Sequence, residues 1–115
     1  ILHCNSTYPA QNNQLNLRYI TKLKSKFKKT TIGYSGHEIN LSASVAAVVL
    51  GAKIIERHIT LDKSMWGTDQ MSSIEPLGFA RLIKDVRAVE GALGVAKKIV
   101  FPGEFKMIKK LRKYK

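Results

Sequence analysis

His37 and His58 are the residues of this chain best placed to do chemistry together. Each closes a short apolar stretch that reads as a buried β-strand. The first is Thr31-Ile32-Gly33-Tyr34-Ser35-Gly36-His37 and the second is Lys53-Ile54-Ile55-Glu56-Arg57-His58. One helical segment separates them, which predicts parallel neighbouring strands with both imidazoles at the same end. Two neutral imidazoles so placed suit a divalent transition ion such as Mn²⁺, Fe²⁺, Co²⁺ or Zn²⁺. The closed four-ligand pattern of structural zinc is absent. The predicted centre is therefore open, able to polarise a carbonyl or orient a nucleophile.

Other side chains gather around this pair. Glu56 lies two residues before His58, on the same strand face, because strand side chains alternate. A carboxylate buried there needs a cation, a donor or a substrate hydroxyl; an internal pair with a Lys or His is the non-catalytic alternative. Asp69, in Gly67-Thr68-Asp69, sits on a loop able to fold back over the third strand. It is placed to hold a substrate hydroxyl, to complete a metal shell, or simply to make an Asx-type turn. Trp66 beside it reads as a lid or as a packing residue. Ser6 and Tyr8 follow the first strand, and their hydroxyls suit phosphate or carboxylate oxygens; a Tyr before Pro9 is equally a turn residue.

These residues need elements to position them. Ile1 to Cys4 reads as a strand, and Leu15 to Phe27 as an amphipathic helix with Leu15, Tyr19, Leu23 and Phe27 at four-residue spacing. Thr30 to Tyr34 is the second strand, punctuated by Ser35-Gly36. Leu41 to Leu50 is a helix rich in small residues, ended by Gly51. Lys53 to Ile59 is the third strand, and Thr60 to Ser73 a long loop. Leu77 to Leu93 is a helix opened by Glu75-Pro76 and stopped by Gly94. Val95 to Lys115 is a connector and a basic helix. The order is β-α-β-α-β-loop-α-α, which predicts a parallel sheet covered by helices.

A glycine-rich phosphate fingerprint is absent, which argues against a nucleotide-binding half. The fold class expected is α/β: about three βα units from the C-terminal portion of a (β/α)₈ barrel, a fold of about 250 residues. Either five further units are then expected upstream, or several chains must combine to close the barrel. The core is expected over 1–94, with 95–115 as a basic connector and helix. A chain of 115 residues is one domain at most, and its start at Ile1 is taken as that of a piece of a longer or processed protein. No signal peptide is visible. The longest apolar run, Val45 to Ala52, falls short of the roughly 20 residues a bilayer needs. The single Cys4 excludes an internal disulfide and fits a reducing cytoplasm. The net charge of +12 concentrates in Lys22 to Lys29 and Lys106 to Lys115. It permits a basic module for nucleic acid or an acidic surface, but the runs lack the interleaved aromatics of single-strand binders. Solvated helix ends explain it more simply, and neither a membrane nor a nucleic acid is the expected partner.

Five stretches, in order, carry a family resemblance: Leu2-His3-Cys4-Asn5-Ser6-Thr7-Tyr8-Pro9, Ile32-Gly33-Tyr34-Ser35-Gly36-His37-Glu38, Val45 to Ala52, Ile55-Glu56-Arg57-His58-Ile59-Thr60-Leu61-Asp62, and Trp66 to Pro76. Together they resemble the catalytic barrel of the N-acetylneuraminate (sialic acid) synthase family, with its 9-phosphate, legionaminic and pseudaminic acid synthases. The resemblance runs to about Gly94. It implies condensation of phosphoenolpyruvate with an N-acyl-mannosamine-type sugar, releasing phosphate and giving a nine-carbon 2-keto acid. It implies a divalent metal, usually manganese, on His37 and His58, with the metal polarising the sugar aldehyde that C3 of phosphoenolpyruvate attacks. Asp69 would contact the sugar, Glu56 the substrate or a water, and Tyr8 and Ser35 would line the phosphoenolpyruvate pocket. Ser6 stands where several members carry Asn. Gly36 stands where the bacterial branch often has Asp, as in animal-type 9-phosphate synthases. A homodimer is implied for the full-length protein. Many members add an antifreeze-like domain; the Lys-rich ending here resembles short members lacking it and equally a truncation before it. Without the lysines of the absent strands, this chain alone is expected to be inactive, with an exposed sheet edge prone to association.

Overall fold

A computed structural model describes residues 1–112. Its three strands, β1 (Leu2–Cys4), β2 (Gly33–Gly36) and β3 (Ile55–Arg57), form one parallel sheet in the order β1-β2-β3. The register pairs Cys4 with Ser35 and Ser35 with Glu56, so these three residues form a row on one face. Tyr34, Ile55 and Arg57 point to the other face, toward the helices. Beyond β3 the ladder continues by one step. Ile59 bridges Ile74 in parallel, with Thr60 N–H donating to Ile74 O at 3.0 Å and Ile74 N–H to His58 O at 2.8 Å. Ile74 thus marks a rudimentary fourth strand position ahead of the last long helix, one that the chain's apolar pattern did not announce.

Helices α1 (Tyr19–Lys26) and α2 (Ser42–Val49) cover the helical face of the sheet. Ile20, Leu23, Ile32, Tyr34, Ala47 and Ala52 make the main core. Small residues Ala43, Ser44 and Ala47 on the buried side of α2 let it sit close to the sheet. Gly51, at φ +100°, ends it where a side chain would be strained. Helix α3 (Pro76–Leu93) starts with Pro at its first turn and stops at Gly94, φ +52°. Helix α4 (Pro102–Leu111) buries no residue. No helix among the described residues is long and apolar enough to cross a membrane.

Several boundaries depart from expectation: the third strand, expected over Lys53 to Ile59, spans Ile55–Arg57, and the second begins at Gly33, not Thr30. The helix predicted over Leu15 to Phe27 begins only at Tyr19: a 3₁₀ turn covers Asn12–Gln14, and Asn16 at φ +45° breaks the path. Leu15 keeps its burial, but in a separate cluster with Ala10 and Ala43. The second strand runs through Ser35 and Gly36 instead of being punctuated by them. Residues 113–115 of the expected basic helix lie outside the described residues.

Candidate metal centre

The C-terminal ends of β2 and β3 carry His37 and His58 to one spot. Their ring centres lie 5.1 Å apart, nearly perpendicular. His37 is buried, and its Nδ1–H donates to the main-chain oxygen of Asn5 at 2.8 Å. That bond fixes the tautomer and leaves Nε2 with its lone pair. The Tyr8 hydroxyl donates to that lone pair at 3.2 Å, and the Tyr8 ring centre is 5.5 Å from that of His58. The main chain of His37 is held too, because its carbonyl accepts Ala10 N–H at 3.0 Å.

On the other side of the pair, Asp69 Oδ2 lies 3.6 Å from His58 Nδ1, too long for a good hydrogen bond. Asp69 is itself fixed by its loop. Its Oδ1 accepts the Thr68 hydroxyl at 3.0 Å, and its carbonyl accepts Ser72 Oγ at 3.2 Å and Ser73 Oγ at 2.8 Å. Asp69 is thus a turn residue and a neighbour of the imidazole at once.

Imidazole rings that share one ion through nitrogens about 2.1 Å from it have centres about 5 Å apart, and the centres of the His37 and His58 rings are 5.1 Å apart. Among the described residues no cluster of three or more His, Cys, Asp or Glu is close enough to cage an ion. The centre is a two-imidazole site whose remaining positions would face solvent or substrate. Cys4 is near, with Sγ 3.8 Å from His37 Nδ1 and 3.4 Å from Ser6 Oγ. The third histidine, His3, lies on the opposite sheet face with Nε2 2.7 Å from Leu15 O, outside the site.

Ser35 and Glu56 sit one row below. Ser35 is buried and its Oγ donates to Glu56 Oε1 at 2.7 Å across the strand pair. Glu56 itself is exposed, so the burial cost expected for it does not arise. The carboxylate that is buried is Glu38. Arg57 Nη1 donates to Glu38 Oε1 at 2.9 Å, with side-chain exposures of 1% and 0%. The Tyr34 hydroxyl donates to Oε2 at 2.8 Å and Ser44 Oγ to Oε1 at 3.3 Å. Burial, with Glu38, pushes the Tyr34 hydroxyl far above its ordinary pKa. Burial pulls Arg57 below its own, against the opposing charge of Glu38. Trp66 is wholly exposed, which removes the packing role considered for it.

Residues 1–98 match the sequence profile of the NeuB family. The chain is 49% identical to the human N-acetylneuraminate-9-phosphate synthase over 112 residues, 97% of this chain and 31% of the relative. It is 42% identical to the N,N'-diacetyllegionaminic acid synthase of Campylobacter jejuni over 113 residues, 98% of this chain and 34% of the relative. The fold matches the crystal structure of the N-acetylneuraminic acid (sialic acid) synthetase of Leptospira borgpetersenii, in complex with citrate, at a TM-score of 0.81 and 37% identity. That match covers 95% of this chain and 38% of the other. The chain spans about a third of the length of the curated relatives it matches.

Proposed function

The chain belongs to the NeuB family, and on that premise we propose that it carries the metal-binding part of a nonulosonic acid synthase. The reaction is condensation of phosphoenolpyruvate with an N-acyl-mannosamine-type sugar or its 6-phosphate, giving a sialic-acid-like keto acid and phosphate. The observation that carries this reading is the pair His37 and His58, 5.1 Å apart at one end of adjacent parallel strands. The parallel α/β arrangement supports placing the chain in the closing part of a (β/α)₈ barrel. With Ile74 counted as a strand position, four units are present and four are needed to close it. We propose further that the whole protein is a cytoplasmic homodimer, as the family resemblance implies.

His37 and His58 would hold a divalent ion; two imidazoles suit several such ions, and the family resemblance favours Mn²⁺. When bound, that ion supplies Lewis-acid polarisation of the sugar aldehyde. The protein's own groups do the rest. Asn5 O holds the proton on His37 Nδ1 and so leaves the Nε2 lone pair of that ring for a ligand, while Asp69 stands beside His58. Ser35 fixes one oxygen of Glu56 and leaves the other to accept a substrate hydroxyl or a water. Ser6, and Tyr8 once a cation displaces its bond to His37, would offer hydroxyls to the phosphate and carboxylate of phosphoenolpyruvate; Ser35 would line that pocket with its proton committed to Glu56, and Asp69 would contact the sugar.

Two measurements test this. Calorimetric titration of the 115-residue chain with Mn²⁺ should show one site, lost in the His37→Ala, His58→Ala double variant; equal binding by both would end the reading. Mixed with Mn²⁺, phosphoenolpyruvate and N-acetylmannosamine, the chain alone should release no phosphate above background. Brisk turnover would show that the essential groups lie elsewhere than on the missing strands.

A further inference from the structure

The geometry points to the buried Glu38–Arg57 pair as the device that sets the separation of the two imidazoles. Glu38 and Arg57 are thus positioning residues of the centre, an inference that rests on the metal-binding role proposed above. Glu38 directly follows His37, and Arg57 directly precedes His58. Side chains alternate, so the imidazoles gather on one side of the sheet while the ion pair closes on the other.

The ladder shows why such a clamp is needed. Registered pairing between β2 and β3 stops at Gly36 and Arg57, one residue short of each imidazole. Beyond that point no β2–β3 ladder bond holds the two chain ends together. The guanidinium takes over at that place. The two N–H groups of its Nη1 are shared among Glu38 Oε1 at 2.9 Å, Asn40 O at 3.0 Å and Ser44 Oγ at 3.0 Å. Its Nη2 donates to the main-chain oxygen of Glu38 and, at 3.4 Å, to Ser72 O. Ser72 belongs to the turn whose hydroxyl is bound by the carbonyl of Asp69. One side chain therefore ties together the residue after His37, the start of α2 and the loop that brings Asp69 to His58.

Room for the pair is built in. A Cβ at Gly36 would stand 2.8 Å from Glu38 Oε2, 2.8 Å from Tyr34 Cε1 and 3.0 Å from Arg57 Cδ. A buried ion pair is a poor way to gain stability, since well-packed apolar residues serve as well or better. What it does supply is direction. The planar fork of Arg fixes its partners at set angles, which Lys cannot do.

The test uses the 115-residue chain with Arg57→Lys, Glu38→Gln and, as a control for lost stability, Leu23→Ala in α1. Two quantities are read: nuclear Overhauser contacts between the His37 and His58 rings without metal, and Co²⁺ affinity with its ligand-field spectrum. Both pair variants should lose the ring contacts and bind Co²⁺ about 10–100-fold more weakly, the range found when partners behind metal ligands are removed. Leu23→Ala should melt earlier yet keep both signals. Ring contacts unchanged in both pair variants, or lost equally in Leu23→Ala, would overturn the inference. If the unsubstituted chain shows the ring contacts but binds no Co²⁺, the metal-binding function fails, and the positioning role is decided by the ring contacts alone.

Discussion

The Tyr8 hydroxyl stands 3.2 Å from His37 Nε2, the one nitrogen of that ring not committed to the main chain. A cation at His37 must therefore displace a hydrogen bond. Such a bond is worth about 0.5–1.5 kcal/mol net. Tyr8→Phe should accordingly tighten Mn²⁺ binding by roughly two- to tenfold, measured by calorimetric titration. Weaker binding would mean that the hydroxyl supports the ion instead of competing with it.

Gly36 tests the tightness of the packing behind the centre. Gly36→Ala drives a Cβ to within 2.8 Å of Glu38 and Tyr34 atoms. An overpacked core of this kind costs about 1–3 kcal/mol, a fall in Tm of several degrees for a chain of this size. The matched control is Gly91→Ala in α3, where the new Cβ meets nothing within 4 Å. It should raise Tm slightly, because Ala favours a helix over Gly. Equal melting temperatures for the two variants would contradict the packing described here.

Tyr34 predicts a stability that declines in alkali. Burial first, then the hydrogen bond to and the charge of Glu38, keep its proton on well above the ordinary value. The unfolded chain releases that proton near pH 10. Folded protein then binds more protons than unfolded, so stability is complete below about pH 10 and falls as pH rises beyond it. Urea midpoints measured between about pH 8 and 11 should show this fall, and Tyr34→Phe should flatten it. A midpoint independent of pH across that window would refute the assignment.

Much of this was legible in the residues. The β-α-β-α-β order, the parallel pairing and the meeting of His37 with His58 follow from period-2 and four-residue patterns that packing reinforced. Glu56 and Ser35 also share the expected face. Two kinds of feature were not legible. The start of α1 was hidden because Leu15 is buried like a helix residue, yet Asn16 takes a left-handed turn that the spacing cannot reveal. The Glu38–Arg57 pair was hidden because an acidic residue and a basic one 19 positions apart give no local signal. Alternation shows the place of Glu56 on the imidazole face, whereas the carboxylate that bears the burial cost is Glu38, the neighbour of His37. Ile74 escaped because a strand of one bridging residue has no periodicity at all.

The chain has a single tryptophan, Trp66, and its indole stands entirely in water. Its emission should already be red-shifted in the native protein, and denaturation should hardly change the spectrum. A blue shift would therefore signal something settling over the Trp66 loop. The ring serves as a built-in fluorescent gauge of cover on that side, and a poor one of folding.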